Sequence, residues 1–156
     1  VALNVLCAPR AAGVLLGPEI RSTFQDDFKK RFVEAEELTI HVVERLQERW
    51  KDVTAVVKKG RAAQKIVDQA RSHNADLIIL GSRGLSNIQT FLLGSVSRTV
   101  ATYAPCSVLI VKKKARVLKN VLLAVDGSRY TDDAVAYFKS HLRPDEIQTT
   151  VLYVWE

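Results

Sequence analysis

Apolar residues in this chain alternate between short unbroken runs and positions spaced three or four apart, which predicts strands and helices in turn. Val1-Ala2-Leu3-Asn4-Val5-Leu6-Cys7 reads as a buried strand closed by Pro9, and a loop with Gly13, Gly17 and Pro18 follows. Phe28, Phe32, Ala35, Leu38, Val42 and Leu46 then mark one face of a long helix ending near Trp50. Val53–Val57 is a strand, and Ala62, Ile66, Val67 and Ala70 give the inner face of a second helix that Asn74 terminates. Asp76-Leu77-Ile78-Ile79-Leu80 is a short apolar strand running straight into Gly81. Val96, Val100 and Tyr103 have helical spacing, Pro105 stops that helix, and Ser107–Val111 is a buried strand.

The pattern then starts again. Val121–Val125 is a strand, Asp126-Gly127-Ser128 a turn, and Thr131 a helix cap with Asp132 and Asp133 at the positive dipole end. Thr150–Val154 is a further strand, and its Leu152-Tyr153-Val154 repeats Leu3-Asn4-Val5 from the beginning. Continuously apolar strands separated by helices predict an α/β fold, an open parallel sheet with helices on both faces, of Rossmann-like type. Right-handed crossovers gather the strand-to-helix turns at one sheet edge, where such folds bind ligands.

At 156 residues the chain has the length of one ordinary domain, and 47% apolar residues make it globular. No apolar run approaches the ~18 residues of a membrane helix, and the N-terminus has no signal-peptide pattern, so a cytoplasmic protein without membrane contact is expected. Its two cysteines, Cys7 and Cys106, lie in strand-like runs without a C-x-x-C pair, which predicts buried thiols rather than a disulfide or zinc site. The net charge of +6 owes much to Lys112-Lys113-Lys114-Ala115-Arg116 and Lys119. No aromatic residues interleave with these charges as base stacking requires, so a solvated linker is expected and nucleic acid is not. His41, His73 and His141 fall on separate helices without metal-ligand spacing, and Trp50 and Trp155 are read as packing residues. The chain has no methionine and begins at Val1, as a piece of a longer protein would.

The segment that carries chemistry is Gly81-Ser82-Arg83-Gly84, then nine residues, then Gly94-Ser95-Val96-Ser97. It begins where a buried strand ends and finishes where a helix begins. Glycines there permit positive φ and close backbone approach, and the unpaired amides of a helix N-terminus attract anions. With hydroxyls on Ser95 and Ser97 and a charge on Arg83, the arrangement suits a polyphosphate. It is neither a G-x-x-x-x-G-K-[ST] loop nor a G-x-G-x-x-G fingerprint.

The spacing G-x2-G-x9-G-[ST] resembles the ATP-binding signature of the universal stress protein family. So do its surroundings: Asn74–Leu80 before it, Ala104–Val111 after it, and Asn120–Ser128 as the first strand and turn of such a domain. The resemblance implies phosphate contacts at Gly81, Gly84, Gly94 and Ser95, with Val96 and Ser97 beside them. It places Asp126 next to the nucleoside, and Val5 and Val154, in their respective copies, next to adenine. ATP with Mg²⁺ is the implied ligand, and a homodimer through the strand Ser107–Val111 the implied assembly.

The order departs from the family's, whose domains start with the Asp-Gly-Ser strand. Two accounts fit: residues 1–114 form a domain lacking its first strand and helix, with 115–156 a linker and the opening of a second domain, or 115–156 complete the first by permutation. The repeated strand favours the first account. The expected function is that of an ATP-binding regulatory module in stress response. A slow ATPase or phosphotransferase using the same pocket is the alternative, although no residue is nominated as a base. An interaction protein that leaves the pocket unused is a third, opposed by the intact glycine and serine pattern.

Overall fold

A computed structural model describes residues 1–6, 18–82, 93–112, 117–143 and 146–153, with side chains in the first helix described from Gln25 onward. The chain divides into two compact units, Val1–Lys112 and Lys113–Glu156. Each has parallel strands joined by helices, the predicted α/β plan.

In the first unit, β1 (Ala2–Leu6) pairs in parallel with β2 (Ala55–Lys59), Ala2 opposite Ala55 and Leu6 opposite Lys59. The connection is α1 (Pro18–Gln47), which lies against both strands. Its buried stripe is Ala35, Thr39 and Val43, continued by half-buried Phe28, Phe32 and Leu46. The expected stripe through Leu38 and Val42 is therefore rotated, and Leu38 is 60% exposed. Thr39 can stand inside because its hydroxyl donates to the Ala35 carbonyl at 2.6 Å. The Asn4 Nδ2 donates to the same carbonyl at 3.4 Å, tying the strand to the helix. Trp50 lies just past the helix end and is 56% exposed, so it does not pack as expected.

The second parallel pair is β3 (Leu77–Gly81) with β4 (Ser107–Val111), Leu77 opposite Ser107 and Gly81 opposite Val111. α2 (Ala62–Ser72) and α3 (Ser95–Tyr103) cover one face of it and touch each other. There Val67, Ala70, Ile78 and Val100 form a buried cluster, backed by Leu80, Cys106 and Val108. Val100 is fully buried, a placement worth about 1.5–3 kcal/mol for an aliphatic side chain. α2 ends as the sequence predicts: Asn74 takes the left-handed conformation at φ 47°, which lets the Ala75 amide reach the Ala70 carbonyl at 2.9 Å. Cys106 is half-buried with a free thiol, and Cys7 lies outside the described residues.

The second unit pairs β5 (Asn120–Val125) in parallel with β6 (Gln148–Tyr153) through α4 (Arg129–His141). No residue of α4 is buried, and every residue of β6 is exposed. Ser128, not Thr131, stands at the N-cap position, without a side-chain capping bond, and the helix starts at Arg129. His141 closes it: its Nδ1–H donates to the Tyr137 carbonyl at 3.0 Å, and the ring stacks on Tyr137 at 4.1 Å. Among the described residues no helix is long and apolar enough to cross a membrane.

Candidate functional site

The apolar run Leu77–Leu80 ends at Gly81, but the ladder with β4 continues one residue further, because the Ser82 amide donates to the Val111 carbonyl at 3.0 Å. The Ser82 carbonyl then receives the Gly94 amide at 2.9 Å and the Ser97 hydroxyl at 3.2 Å. These bonds bring the end of β3 and the start of α3 together, although twelve residues of sequence part Gly81 from Gly94. Ser97 also lies 3.0 Å from the Gly94 carbonyl. It is 2% exposed and Ser82 is 8% exposed, so this junction is internal.

Gly94 is the N-cap of α3 at φ −60° and ψ 156°, an ordinary extended conformation. Positive φ is thus not what requires glycine there; close backbone approach is the remaining physical reason. No side chain caps the helix, and no acidic residue lies in its first turn. The Arg98 amide makes the first helical bond, to Gly94 at 3.0 Å, which leaves the amides of Ser95, Val96 and Ser97 without an intrahelical acceptor. Three donors and the positive end of the helix dipole converge on one point. Ser95 is exposed and Val96 is 37% exposed, so that point is open to solvent.

The structure thus gathers Gly81, Gly94, Ser95, Val96 and Ser97 at one junction. Ser97 differs from expectation in that its hydroxyl proton is directed inward, onto the carbonyls of Ser82 and Gly94. Arg83 and Gly84 lie outside the described residues. Val5 sits half-buried near the end of β1, opposite Lys58. Sequence reasoning did not single out Ser82, whose carbonyl holds the junction; its place directly after the strand-ending Gly81 was the available signal.

Asp126 stands at the corresponding turn of the second unit, after β5. Its Oδ1 accepts the Ser128 amide at 2.9 Å and the Thr131 hydroxyl at 2.8 Å, while the Asp126 amide donates to Thr131 Oγ1 at 3.2 Å. Gly127 between them adopts φ 77°, a left-handed conformation that costs glycine least. The Ser128 amide is the main cause holding the Asp126 carboxyl at a pKa of about 2, helped by the nearby hydroxyls of Ser128 and Thr131. Both bonds fall on Oδ1, and Oδ2 has no hydrogen bond among the described residues. Thr131, expected as a cap, is thus a partner of Asp126. Among the described residues no group of three or more His, Cys, Asp or Glu is placed to hold a metal.

The chain was compared with known proteins. The family model described as "Universal stress protein family" matches residues 1–112. The universal stress protein YxiE of Bacillus subtilis is 31% identical over 110 residues, covering 69% of this chain and 72% of that protein. A universal stress protein of Thermus aquaticus is 35% identical over 89 residues, and Sll1388 of Synechocystis 36% over 88. The matches span 57% and 56% of this chain but only 64% and 57% of those two relatives. Among solved structures, the hypothetical protein MJ0577 superposes with a TM-score of 0.62 at 26% identity, covering 73% of this chain and 75% of that one. The universal stress protein UspA from Lactobacillus plantarum does so at 0.60 and 20% identity, over 70% of this chain and 74% of its own, which supports the fold alone. With the model spanning the whole first unit and its strand-to-helix junction, the chain belongs to the universal stress protein family.

Proposed function

We propose that this protein binds ATP with Mg²⁺ at the junction of β3 and α3, as a nucleotide-dependent regulatory module in stress response. The observation that supports the reading is the start of α3, where three backbone amides and a helix dipole meet with no side chain capping them. A polyphosphate fits that donor set. Gly81 and Gly94 let its oxygens approach the backbone, Ser95 adds an exposed hydroxyl, and Arg83 and Gly84 belong to the same segment. Ser97 acts by holding the junction shut from inside, which keeps the amides converged. Mg²⁺ enters on the phosphates and offsets their charge. Val5 is assigned to the adenine side and Asp126, through Oδ2, to a nucleoside hydroxyl.

Residues 115–156 are read as a linker and the opening of a second domain, so Asp126 serves a different nucleotide from Gly94. The protein is placed in the cytoplasm, as a homodimer through β4, whose edge away from β3 carries no strand among the described residues. Velocity sedimentation checks the dimer, and a monomer at micromolar concentration overturns it.

Calorimetric titration of the pure protein with Mg·ATP, with phosphate release followed in parallel, tests the function. Saturable binding without steady phosphate release is the expected result. An absence of binding overturns the proposal, and continuous release over many turnovers replaces it with the ATPase reading.

A further inference from the structure

Basic residues of the first unit gather where β2 gives way to α2. Lys58, Lys59, Arg61 and Lys65 lie there, and no Asp or Glu occurs from Val53 to Val67. Lys58, Lys59 and Arg61 are exposed, and Lys65 is half-buried. None of the four joins an ion pair among the described residues. Two of them are held in place. The Lys59 ammonium stands 4.3 Å from the centroid of the Phe28 ring. A Cβ at Gly60 would lie 3.0 Å from Lys65 Cε, so the glycine, at φ 141°, is what lets the lysine stem rest on the turn. The acids nearest Phe28 in sequence are Asp26 and Asp27, and Arg31 engages Asp27 at 3.0 Å. The corner therefore keeps a net positive charge.

The chain path sets this corner on the same side as the junction of β3 and α3. α2 ends just before the start of β3 and packs back along that strand, Val67 and Ala70 sharing a buried cluster with Ile78. Its N-terminus therefore points toward the end of β3, beyond which α3 starts, and the two helices touch. Packed helices lie about 8–10 Å apart, close to the Debye length of about 8 Å at physiological salt. Charges at the start of α2 are thus felt at the start of α3. We infer that Lys58, Lys59, Arg61 and Lys65 form an electrostatic collar that draws an anionic nucleotide to the start of α3 and raises its association rate, without contacting it once bound. The inference rests on the ATP site proposed above and names what delivers the ligand to it. Steering of this kind acts on the rate of encounter and fades with salt, whereas a direct contact acts on the rate of escape.

Stopped-flow binding of Mg·ATP to the purified protein tests it, with association and dissociation rates separated. The variant combines Lys58→Gln with Arg61→Gln, both at exposed positions. Arg61 is the N-cap of α2 but makes no side-chain capping bond, so the fold should be kept. The control combines Arg45→Gln with Lys51→Gln, the same loss of charge in the last turn of α1 and just before β2. At about 0.01 M salt, where the Debye length is about 30 Å, association should slow about fivefold in the variant and less than about twofold in the control, with dissociation unchanged in both. At about 1 M salt, where that length is about 3 Å, variant and parent should associate equally fast. Between the two salts the unaltered protein should itself slow by roughly tenfold or more. No slowing in the variant, equal slowing in variant and control, or a change confined to dissociation overturns the inference and leaves the ATP site standing. A parent that binds no nucleotide overturns both.

Discussion

The turn after β3 and the turn after β5 solve the same problem, a strand feeding a helix, with opposite electrostatics. After β5 a carboxylate belonging to the chain sits in the turn, accepting an amide and a hydroxyl on one oxygen. After β3 no acidic residue is present in the first helical turn; two serines and a glycine are bonded inward to each other instead. The first arrangement carries its own anion. The second leaves the amides of Ser95, Val96 and Ser97 without an intrahelical acceptor, the donor set that the proposed function gives to a phosphate. Residue choice at a few positions therefore separates a strand end that supplies its own carboxylate from a helix start that carries none.

The largest effect that can break this contrast is expected from Gly94→Val. A β-branched side chain at the N-cap puts bulk where a phosphate must approach backbone, and nucleotide affinity should fall by at least a hundredfold. Valine is also a poor N-cap, at a cost of roughly 1 kcal/mol, so the fold should persist, as far-UV circular dichroism would confirm. Unchanged affinity in the folded variant would remove α3 from the site. Ser97→Ala comes next. It takes a donor from two carbonyls at a 2% exposed position, and about 1–3 kcal/mol of stability should be lost in urea unfolding. Affinity should drop about tenfold, because the junction loosens. A large loss of affinity with full stability would instead make Ser97 a direct phosphate contact, and the contrast between inward and outward donors would fail.

The parallel strands, their alternation with helices and the position of the junction were legible in the sequence because continuous apolar runs and helical spacing report burial directly, whereas the division of the described strands into three pairs was not. Leu77–Leu80 and Val121–Val125 became strands, and the Gly94-Ser95 pair became a helix start. What was not legible depends on contacts between distant residues. The inward turn of Ser97 follows from the Ser82 carbonyl, fifteen residues away, and no local pattern announces it. Likewise, Leu38 and Thr39 are adjacent on α1, and only the packing against β1 and β2 decides that the threonine goes inside. Thr131 had the composition of a cap, but the helix starts two residues earlier, at Arg129, and the Thr131 hydroxyl bonds Asp126 instead.

The smallest expected effect sharpens the other half of the contrast. Asp126 is held at a pKa of about 2, below its ordinary 3.8, by the Ser128 amide first and then by the Ser128 and Thr131 hydroxyls. A depressed folded-state pKa means that the ionised carboxylate stabilises the turn. That contribution is complete above about pH 4 and is lost as the pH falls through the window from 3.8 to about 2. Hydrogen exchange at the Ser128 amide should therefore show a protected turn at neutral pH and a loosened one near pH 2. Asp126→Asn should weaken that protection at neutral pH and remove its dependence on acid. Thr131→Val deletes one donor and keeps the amide, so the Asp126 carboxyl, followed by NMR through its carbon shift, should titrate higher than in the parent but still below 3.8. A parent titration already near 3.8 would mean that the carboxylate does not serve as the turn's own anion, and the two junctions would no longer differ in kind.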